Sequence, residues 1–241
     1  MRAAAAATHC ANNLKQVGLA TQACHDAHGA LPACGNSFPP PAKRRGSVQF
    51  FLLPFLEQEP LFRSIPDAAN SELLLPHAPP KVFVCPADPA PDVVRAVGYW
   101  GTEVGVINYA ANVQVFGPQT GPPKQLKLPA GVPDGLSNTV FFAERFKVCP
   151  DAVSGRVPWA GIFATQWDPT FAWNRTAAIV LPQWAPAQPK CLPAATQSYH
   201  AGGVCVALGD GSVRTVRAGL TLEQWRAAVL PDDGAATGPD W

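Results

Sequence analysis

Proline is the residue type that most constrains how this chain can fold, because 27 of its 241 residues are proline. Each proline fixes its own φ angle and removes a backbone hydrogen-bond donor, so it is excluded from helix interiors and central strands. Residues 30–47 contain three consecutive prolines at 39–41 and are not expected to form regular secondary structure. The chain is therefore predicted to be rich in loops, with many short elements and rigid turns.

The segment ahead of this proline-rich region predicts one long helix over residues 3–28. It begins with five consecutive alanines, which are strong helix formers. The next residues follow a spacing of three or four, which places them on one mostly apolar stripe: Leu14, Val17, Thr21, Cys24 and His28. Gly29 is a suitable residue to end the helix.

Beyond residue 80 the apolar residues occur in short, often β-branched segments, a pattern typical of strands. Residues 203–216 predict a hairpin, because Gly209, Asp210 and Gly211 lie between two alternating arms and favour the positive φ of a tight turn. The other predicted strands cover residues 81–85, 104–116, 139–146, 161–167 and 177–181.

Two further segments predict short helices. Residues 48–63 are apolar but contain two prolines, which indicates a short helix or two broken turns. Thr221 and Gln224 form a capping box that starts a helix near the C-terminus. We therefore predict an α+β fold: a helix over residues 1–29 packs along a mostly antiparallel β-sheet of a single head over residues 30–241, with long Pro/Gly-rich inserted loops.

Charge and hydropathy count against two classes of partner. The net charge is only +1, and the one notable basic run is Lys43, Arg44 and Arg45, so no broad nucleic-acid-binding face is predicted. No run of 18 apolar residues occurs, so no segment of this sequence is expected to span a membrane.

Seven cysteines are spread along the chain without a C-x-x-C pair, which counts against a zinc ribbon or a thioredoxin-like site. Their number predicts an oxidising compartment, up to three disulfides and at least one unpaired thiol. Cys24 and Cys34 are the best local pair, because the loop after the helix can double back. The alternative is that the cysteines are simply small buried residues.

The sequence contains no common motif of a hydrolase, a metalloprotease or a nucleotide-binding site. His200 and Asp210 could perform acid–base chemistry if the hairpin brought the two side chains together. We favour a structural interpretation, in which the aspartate fixes the turn and the histidine braces the neighbouring strand. No catalytic residue is predicted, and the chain is not expected to be an enzyme.

One candidate metal site lies at the end of the long helix. Cys24, His25 and His28 are close in sequence and could share a metal ion. We favour the alternative interpretation, in which the histidines interact with the dipole at the helix C-terminus.

A second candidate site precedes the strand predicted at 139–146. Asp134, Ser137 and Asn138 carry side-chain oxygen atoms that could hold calcium, which needs six or more oxygen ligands. The alternative is an Asx-turn leading into the strand. No other cofactor is expected.

A set of short motifs occurs in one order along the chain. Its most distinctive member is a histidine followed by nine residues and Asp-Gly, here His200, Asp210 and Gly211. The others are CANNLKQVGLA (10–20), HDAHGALP (25–32), LPFLEQ (53–58), VCPADP with Cys85 and Pro86 (84–89), NYAAN (108–112), and DGLSNT with Asp134, Gly135 and Asn138 (134–139), followed by Ala143 and Glu144. Over nearly its whole length the chain resembles the DUF1559 or H-X9-DG pilin-like family, which is numerous in planctomycete bacteria.

The resemblance implies a pilin-like topology and an extracytoplasmic filament or type II secretion-like context. Members usually begin with a prepilin leader and a hydrophobic helix, and residues 2–5 resemble the end of the stretch that follows. We therefore expect the pilin- or pseudopilin-like head of a periplasmic or cell-surface protein whose membrane-anchoring N-terminal helix is missing from this chain. Its expected partners are other pilin-like subunits or secretion machinery, and the motif residues are expected to be turn and core determinants.

The alternative function is extracytoplasmic ligand binding. The family has also carried a solute-binding label, and Trp159, Trp167, Trp173 and Trp184 could form a sugar- or peptide-binding surface. A cleft lined by these tryptophans would favour a solute- or carbohydrate-binding module, whereas burial in the core would favour the structural role.

Overall fold

The computed structural model of this chain describes residues 2–67, 78–95, 103–117, 126–149, 169–177, 179–187, 190–235, 237–238 and 241. Its helices and strands are α1 (Arg2–His28), α2 (Val48–Phe51), α3 (Glu59–Ser64), β1 (Val93–Arg95), β2 (Glu103–Gly105), β3 (Tyr109–Asn112), α4 (Val113–Phe116), β4 (Val140–Glu144), β5 (Thr170–Phe171), β6 (Gln183–Trp184), β7 (Gln197–Ser198), β8 (Val204–Leu208), β9 (Val213–Val216) and α5 (Leu222–Val229). Short 3-10 helices cover Leu53–Leu56 and Lys81–Phe83. Within these ranges, no helix combines the length and apolar character that a bilayer crossing requires.

The long helix predicted over residues 3–28 is confirmed as α1. It ends as expected at Gly29, which has a φ of +69° and donates its N–H to the His25 carbonyl at 2.7 Å. One face of the helix is buried and includes Cys10, Leu14, Val17 and Cys24. This face matches the predicted stripe, so α1 is stabilised mainly by packing against the rest of the chain.

The main sheet has five strands in the order β5-β3-β4-β8-β9. The β3–β4, β4–β8 and β8–β9 pairs are antiparallel, and β3–β5 is parallel. The predicted hairpin is confirmed by β8 and β9, in which Val204 lies opposite Val216. Two-stranded ribbons join β1 to β2 and β6 to β7. The fold class is therefore α+β with a mixed sheet.

The central strands are buried on both faces because helices cover both. Along β8, Cys205 and Ala207 belong to the core beneath α1, whereas Val204, Val206 and Leu208 belong to the core beneath α5. This division follows from the two-residue period of a strand, which sends successive side chains to opposite faces. The sheet thus separates two apolar cores.

The turn of the β8–β9 hairpin lies directly against α1. Lys15 donates from Nζ to the Gly211 carbonyl at 2.8 Å, and the Gln22 amide donates to the Gly209 carbonyl. A Cβ atom at Gly18 would lie 3.2 Å from the Cα atom of Gly211, so a glycine permits this approach. Gly211 also has a φ of +77°, a conformation that favours glycine.

Other local predictions are confirmed. Residues 48–63 form α2, a 3-10 turn and α3, which matches the expected short helix and broken turns. The segment 139–146 contains β4. Thr221 accepts the Gln224 N–H, and the Gln224 side chain accepts the Thr221 N–H, so the predicted capping box starts α5.

Two predicted strands are wrong in detail. The segment 81–85 begins with the 3-10 turn Lys81–Phe83, in which the Val84 N–H bonds back to the Lys81 carbonyl at 3.0 Å. The segment 104–116 ends in α4, because the Asn112 side chain accepts the N–H of Gln114 at 2.9 Å and caps a helical turn.

A third predicted strand, over residues 177–181, is also wrong for the residues of that segment that the structure describes. The Asn174 side chain accepts the N–H groups of Thr176 and Ala177, both at 2.9 Å, so Ala177 lies in a turn, and residues 179–181 are not part of a strand. The strand predicted over 161–167 lies outside the described residues.

We predict that Gly18→Val lowers the free energy of unfolding by about 1–3 kcal/mol, because the new side chain would force α1 away from the hairpin turn. The matched control is Gln16→Val on the exposed side of α1, which should cost about 0.5 kcal/mol through helix propensity alone. Urea unfolding measures both values. Equal losses in the two variants would contradict the close helix–turn contact.

Candidate functional site, a buried cluster around His200

The structure does not bring His200 and Asp210 together. They flank opposite ends of β8, a five-residue strand that spans roughly 16 Å. The exposed Asp210 carboxylate accepts the N–H of Ser212 at 2.8 Å and its hydroxyl at 2.6 Å, both through Oδ1. Asp210 therefore lies within its own turn, and the carboxylate beside His200 comes from another strand.

That carboxylate belongs to Glu144, at the end of β4. The Nε2 atom of His200 lies 3.3 Å from Glu144 Oε1 and 3.4 Å from the Sγ atom of Cys85. The donor atoms of Cys10, Cys85, Glu144 and His200 all lie within 4.8 Å of one another, and all four residues are buried. We call this group the His200 cluster.

Glu144 was not singled out as a site residue from the sequence. Its side chain is 3% exposed, and its Oε2 atom accepts the N–H of Cys205 at 2.9 Å. Its Oε1 atom has no hydrogen-bond partner among the described residues, because the approach of His200 has ion-pair distance without hydrogen-bond geometry. The sequence did contain a signal for this site: Glu144 is a carboxylate at the end of the apolar strand VFFAE. A carboxylate that such a strand buries needs a specific partner, so its position indicates a buried polar contact.

The predicted presence of disulfides is confirmed, but the predicted Cys24–Cys34 pair is wrong. The two disulfides are Cys10–Cys85 and Cys149–Cys191. Cys24, Cys34 and Cys205 are buried and take no part in either bond. The loop after α1 does return to the helix end, where Phe38 contacts His28, but the backbone N–H of Cys34 donates to the Phe116 carbonyl at 3.0 Å and Cys34 is not bonded to Cys24.

A polar network holds the Cys85 turn in place. The Asn108 side chain accepts the N–H of Cys85 at 2.9 Å and donates to Asp88 Oδ2 at 2.7 Å. That oxygen also accepts the Lys147 N–H at 2.9 Å, and the N–H of Asp88 closes the turn onto the Cys85 carbonyl at 3.1 Å. Pro86 is exposed at the outer side of this turn. Two of the sequence motifs, VCPADP and NYAAN, thus meet at one buried point.

The environment of the cluster suppresses ionisation of neighbouring groups. Burial, and then the charge of Glu144, raise the pKa of Cys205 to about 12. The same two causes raise the pKa of Tyr109 well above its usual range. On the same helix as Cys10, burial raises the pKa of Cys24 to about 12. These thiols are therefore neutral near pH 7, which makes them poor nucleophiles.

The predicted calcium ligands lie in a turn stabilised by hydrogen bonds. The Asp134 carboxylate accepts the N–H of Asp233 at 2.8 Å and that of Gly234 at 3.1 Å. The Asn138 side chain donates to the Asp134 carbonyl at 2.9 Å. Gly135 has a φ of +98°, and Ser137 is exposed. This geometry accounts for the turn without an ion, and calcium binding stays a prediction.

Two of the four candidate tryptophans lie among the described residues, so a cleft lined by all four stays a prediction. Trp159 and Trp167 lie outside the described residues. Trp184 is half-buried, packs on the core beneath α5 and donates from its indole nitrogen to the Val216 carbonyl at 3.0 Å. Trp173 is also half-buried.

The candidate metal ligands at the end of α1 are engaged separately. His25 accepts the Leu128 N–H through Nε2 at 3.0 Å, whereas His28 makes edge contacts with the rings of Phe38 and Phe55. The metal-compatible group in the described part of the chain is the His200 cluster, which contains neither histidine.

The His200 cluster joins four parts of the fold. Cys10 comes from α1, Cys85 from the turn after the second 3-10 helix, Glu144 from β4, and His200 from the segment before β8. Its two sulfur atoms are bonded to each other, so the oxidised cluster offers no thiolate for nucleophilic chemistry. In this oxidised form the arrangement cross-links the core.

Comparison with models of known protein families gives a match over most of the chain. The model of a family described as a protein of unknown function, DUF1559, matches residues 1–219. No curated protein and no solved structure matches the chain.

We predict that the two named residues of the H-X9-DG motif differ in their effect on stability. His200→Ala would open a cavity in the core beside the buried Glu144 carboxylate and remove the imidazole that it faces, and should cost about 2–5 kcal/mol. Asp210→Ala removes exposed turn hydrogen bonds and should cost about 1 kcal/mol. Thermal and urea unfolding test this, with His9→Ala on the exposed part of α1 as the control. A loss for His200→Ala no larger than that of the control would contradict a bracing role.

We also predict that stability falls as the pH rises above about 9. The pKa values of Cys24 and Cys205 are raised in the folded chain from 9.0 to about 12, so above pH 9 the unfolded chain releases protons that the folded chain keeps. Each thiol can lower the free energy of unfolding by up to about 1.4 kcal/mol per pH unit. The double variant Cys24→Ala/Cys205→Ala should show a shallower dependence between pH 8 and 10, and an unchanged slope would contradict the prediction.

Proposed function

The chain belongs to the DUF1559 family of proteins of unknown function, and on this premise we propose that it is a structural subunit: the pilin- or pseudopilin-like head of an extracytoplasmic filament or type II secretion-like system. In this role the head lies outside the cytoplasmic membrane, in the periplasm or at the cell surface. Its partners are other pilin-like subunits or the secretion machinery.

The observation that carries the proposal is the division of α1 into two parts. From Cys10 onward one face of the helix is buried in the head. Before Cys10 the described helical residues from Ala3 to His9 are exposed or half-buried and are mostly alanine. A helix that extends beyond its own core in this way is suited to packing against helices of neighbouring subunits, because small side chains allow close approach of two backbones.

The covalent chemistry supports an extracytoplasmic location. Disulfides persist in oxidising compartments and are rare in the cytosol of most organisms. Here the disulfides Cys10–Cys85 and Cys149–Cys191 are both buried within the head.

The contacts of the motif residues support a structural role over a catalytic one. Asn13 donates to the Tyr109 hydroxyl at 3.3 Å and to the Val84 carbonyl at 3.1 Å. The Asn112 amide donates to the carbonyls of Val140 and Val229, both at 2.7 Å. Each of these amides links segments that are far apart in sequence, so its role is accounted for by the fold.

We predict that subunits associate through the first turns of α1. The test adds a prepilin leader and a hydrophobic segment of about 20 residues ahead of Arg2, long enough to span a bilayer, and expresses the chain beside a type II secretion-like machinery. Ala4→Cys on the exposed first turn should then yield intermolecular disulfides after leader cleavage. Glu223→Cys, exposed on α5, is the matched control and should yield few.

Two outcomes would contradict the structural role. One is a chain that is exported but never processed, and the other is cross-linking that is equal at Ala4→Cys and Glu223→Cys. If in addition the head alone bound a sugar or peptide tightly, the ligand-binding alternative would replace the filament proposal.

A further inference from the structure

We propose that the reduced chain binds one zinc ion through Cys10, Cys85, Glu144 and His200. The same buried site is then held together by zinc in the reduced chain and by the Cys10–Cys85 disulfide in the oxidised chain. The proposal goes beyond the filament role and does not rest on it. It starts from the clustering of four donor atoms within 4.8 Å, each from a buried residue. Two sulfurs, one imidazole nitrogen and one carboxylate oxygen make a ligand set that tetrahedral zinc accepts.

The spacing of the donors fits a tetrahedral ion. Zinc bonds of about 2.0–2.3 Å place neighbouring ligand atoms roughly 3.3–3.8 Å apart. The Nε2 atom of His200 already lies 3.3 Å from Glu144 Oε1 and 3.4 Å from Cys85 Sγ. The two sulfur atoms, bonded in the oxidised chain, must separate to roughly 3.8 Å, which rotation about the side-chain torsions of the two cysteines can provide.

The Glu144 carboxylate supplies a second, independent observation. Its Oε2 atom accepts the Cys205 N–H, whereas its Oε1 atom is buried without a hydrogen-bond partner among the described residues. Oε1 is also the oxygen that approaches His200. A buried carboxylate oxygen is costly when it lacks a donor or a cation, and a zinc ion at the centre of the cluster would satisfy it.

The neighbouring bonds orient the ligands. The backbone N–H of Cys205 donates to the Glu144 carboxylate and holds it in place. The backbone N–H of His200 donates to the Ser198 hydroxyl at 3.0 Å. The Cys85 N–H is bonded to Asn108 at 2.9 Å. Such outer contacts hold ligands in position before the ion arrives and reduce the conformational cost of binding.

The conversion between the two states is a two-electron step. A dithiol reductant breaks the Cys10–Cys85 bond, is itself oxidised to a disulfide, and leaves two thiols on the chain. Each thiol loses its proton when its sulfur bonds to zinc, so binding releases two protons. In the reverse step a disulfide oxidant takes two electrons from the two cysteine sulfurs and, with two protons from water, is reduced to two thiols; the Cys10–Cys85 bond forms again and the zinc ion leaves.

The experiment uses the whole chain, reduced with a phosphine under anaerobic conditions and titrated with Co²⁺ and then with Zn²⁺. We expect one Co²⁺ per chain, with a thiolate-to-cobalt charge-transfer band and the intense visible bands of tetrahedral coordination, displaced by one equivalent of Zn²⁺. The oxidised chain should bind neither metal at this site. Zinc should also raise the melting temperature of the reduced chain but not that of the oxidised chain.

Cysteine variants locate the site. Cys10→Ser/Cys85→Ser should abolish the cobalt spectrum, whereas the matched control Cys149→Ser/Cys191→Ser, which changes the other disulfide pair, should keep it. In the unsubstituted chain the apparent affinity should rise by up to about 100-fold per pH unit below the thiol pKa values, because two thiol protons are released. This pH dependence needs no variant and therefore tests the site even where a substitution prevents folding.

Three results would overturn the proposal. The first is a reduced chain that neither binds Co²⁺ nor gains stability with Zn²⁺. The second is cobalt binding without a thiolate band, or with a dependence of about tenfold or less per pH unit, which would exclude two cysteine ligands. The third is a cobalt spectrum that survives in Cys10→Ser/Cys85→Ser.

Discussion

The packing of α1 along the five-stranded sheet is the interaction on which the rest of the fold depends. It closes one apolar core, and it is fixed at two separate points along the helix. At the first, the Cys10–Cys85 disulfide bonds the helix covalently to the turn beside the His200 cluster. At the second, two turns further along, Gly18 lies against Gly211 and allows the hairpin to reach the helix surface. Together the two contacts set both the position of α1 and its rotation about its own axis.

These contacts differ in physical kind and in size. Closing a loop of 75 residues by the Cys10–Cys85 bond stabilises the fold by roughly 4 kcal/mol through the unfolded state. The His200–Glu144 pair adds little net stability, because desolvation of the carboxylate offsets the attraction, but losing one partner is costly. The polar cluster therefore specifies one arrangement of α1, β4 and β8, whereas apolar burial and the cross-link supply most of the free energy.

Features set by neighbouring residues could be predicted from the sequence. The apolar stripe of α1, the glycines of the hairpin turn and the Thr221 capping box each act over a few residues, and each prediction is confirmed. Features set by distant residues could not. The partner of Cys10 lies 75 residues away, and the partner of His200 is Glu144 on another strand, so their identity depends on how the sheet is assembled. The strand predicted over 81–85 was wrong for the same reason, since distant residues decide its conformation. The segment packs on the core as a 3-10 turn instead of pairing in a sheet.

Native-state hydrogen exchange of α1 tests the central claim most directly, namely that this helix is an integral part of the head. Amides facing the core between Leu14 and Cys24 should exchange only through global unfolding, with the same free energy of opening as those of β4 and β8. Amides from Ala5 to Thr8 should exchange much faster, since those turns lie outside the core. If the whole helix exchanged with a free energy well below that of the sheet, α1 would be a separately opening appendage, which would contradict its place as the element on which the fold depends.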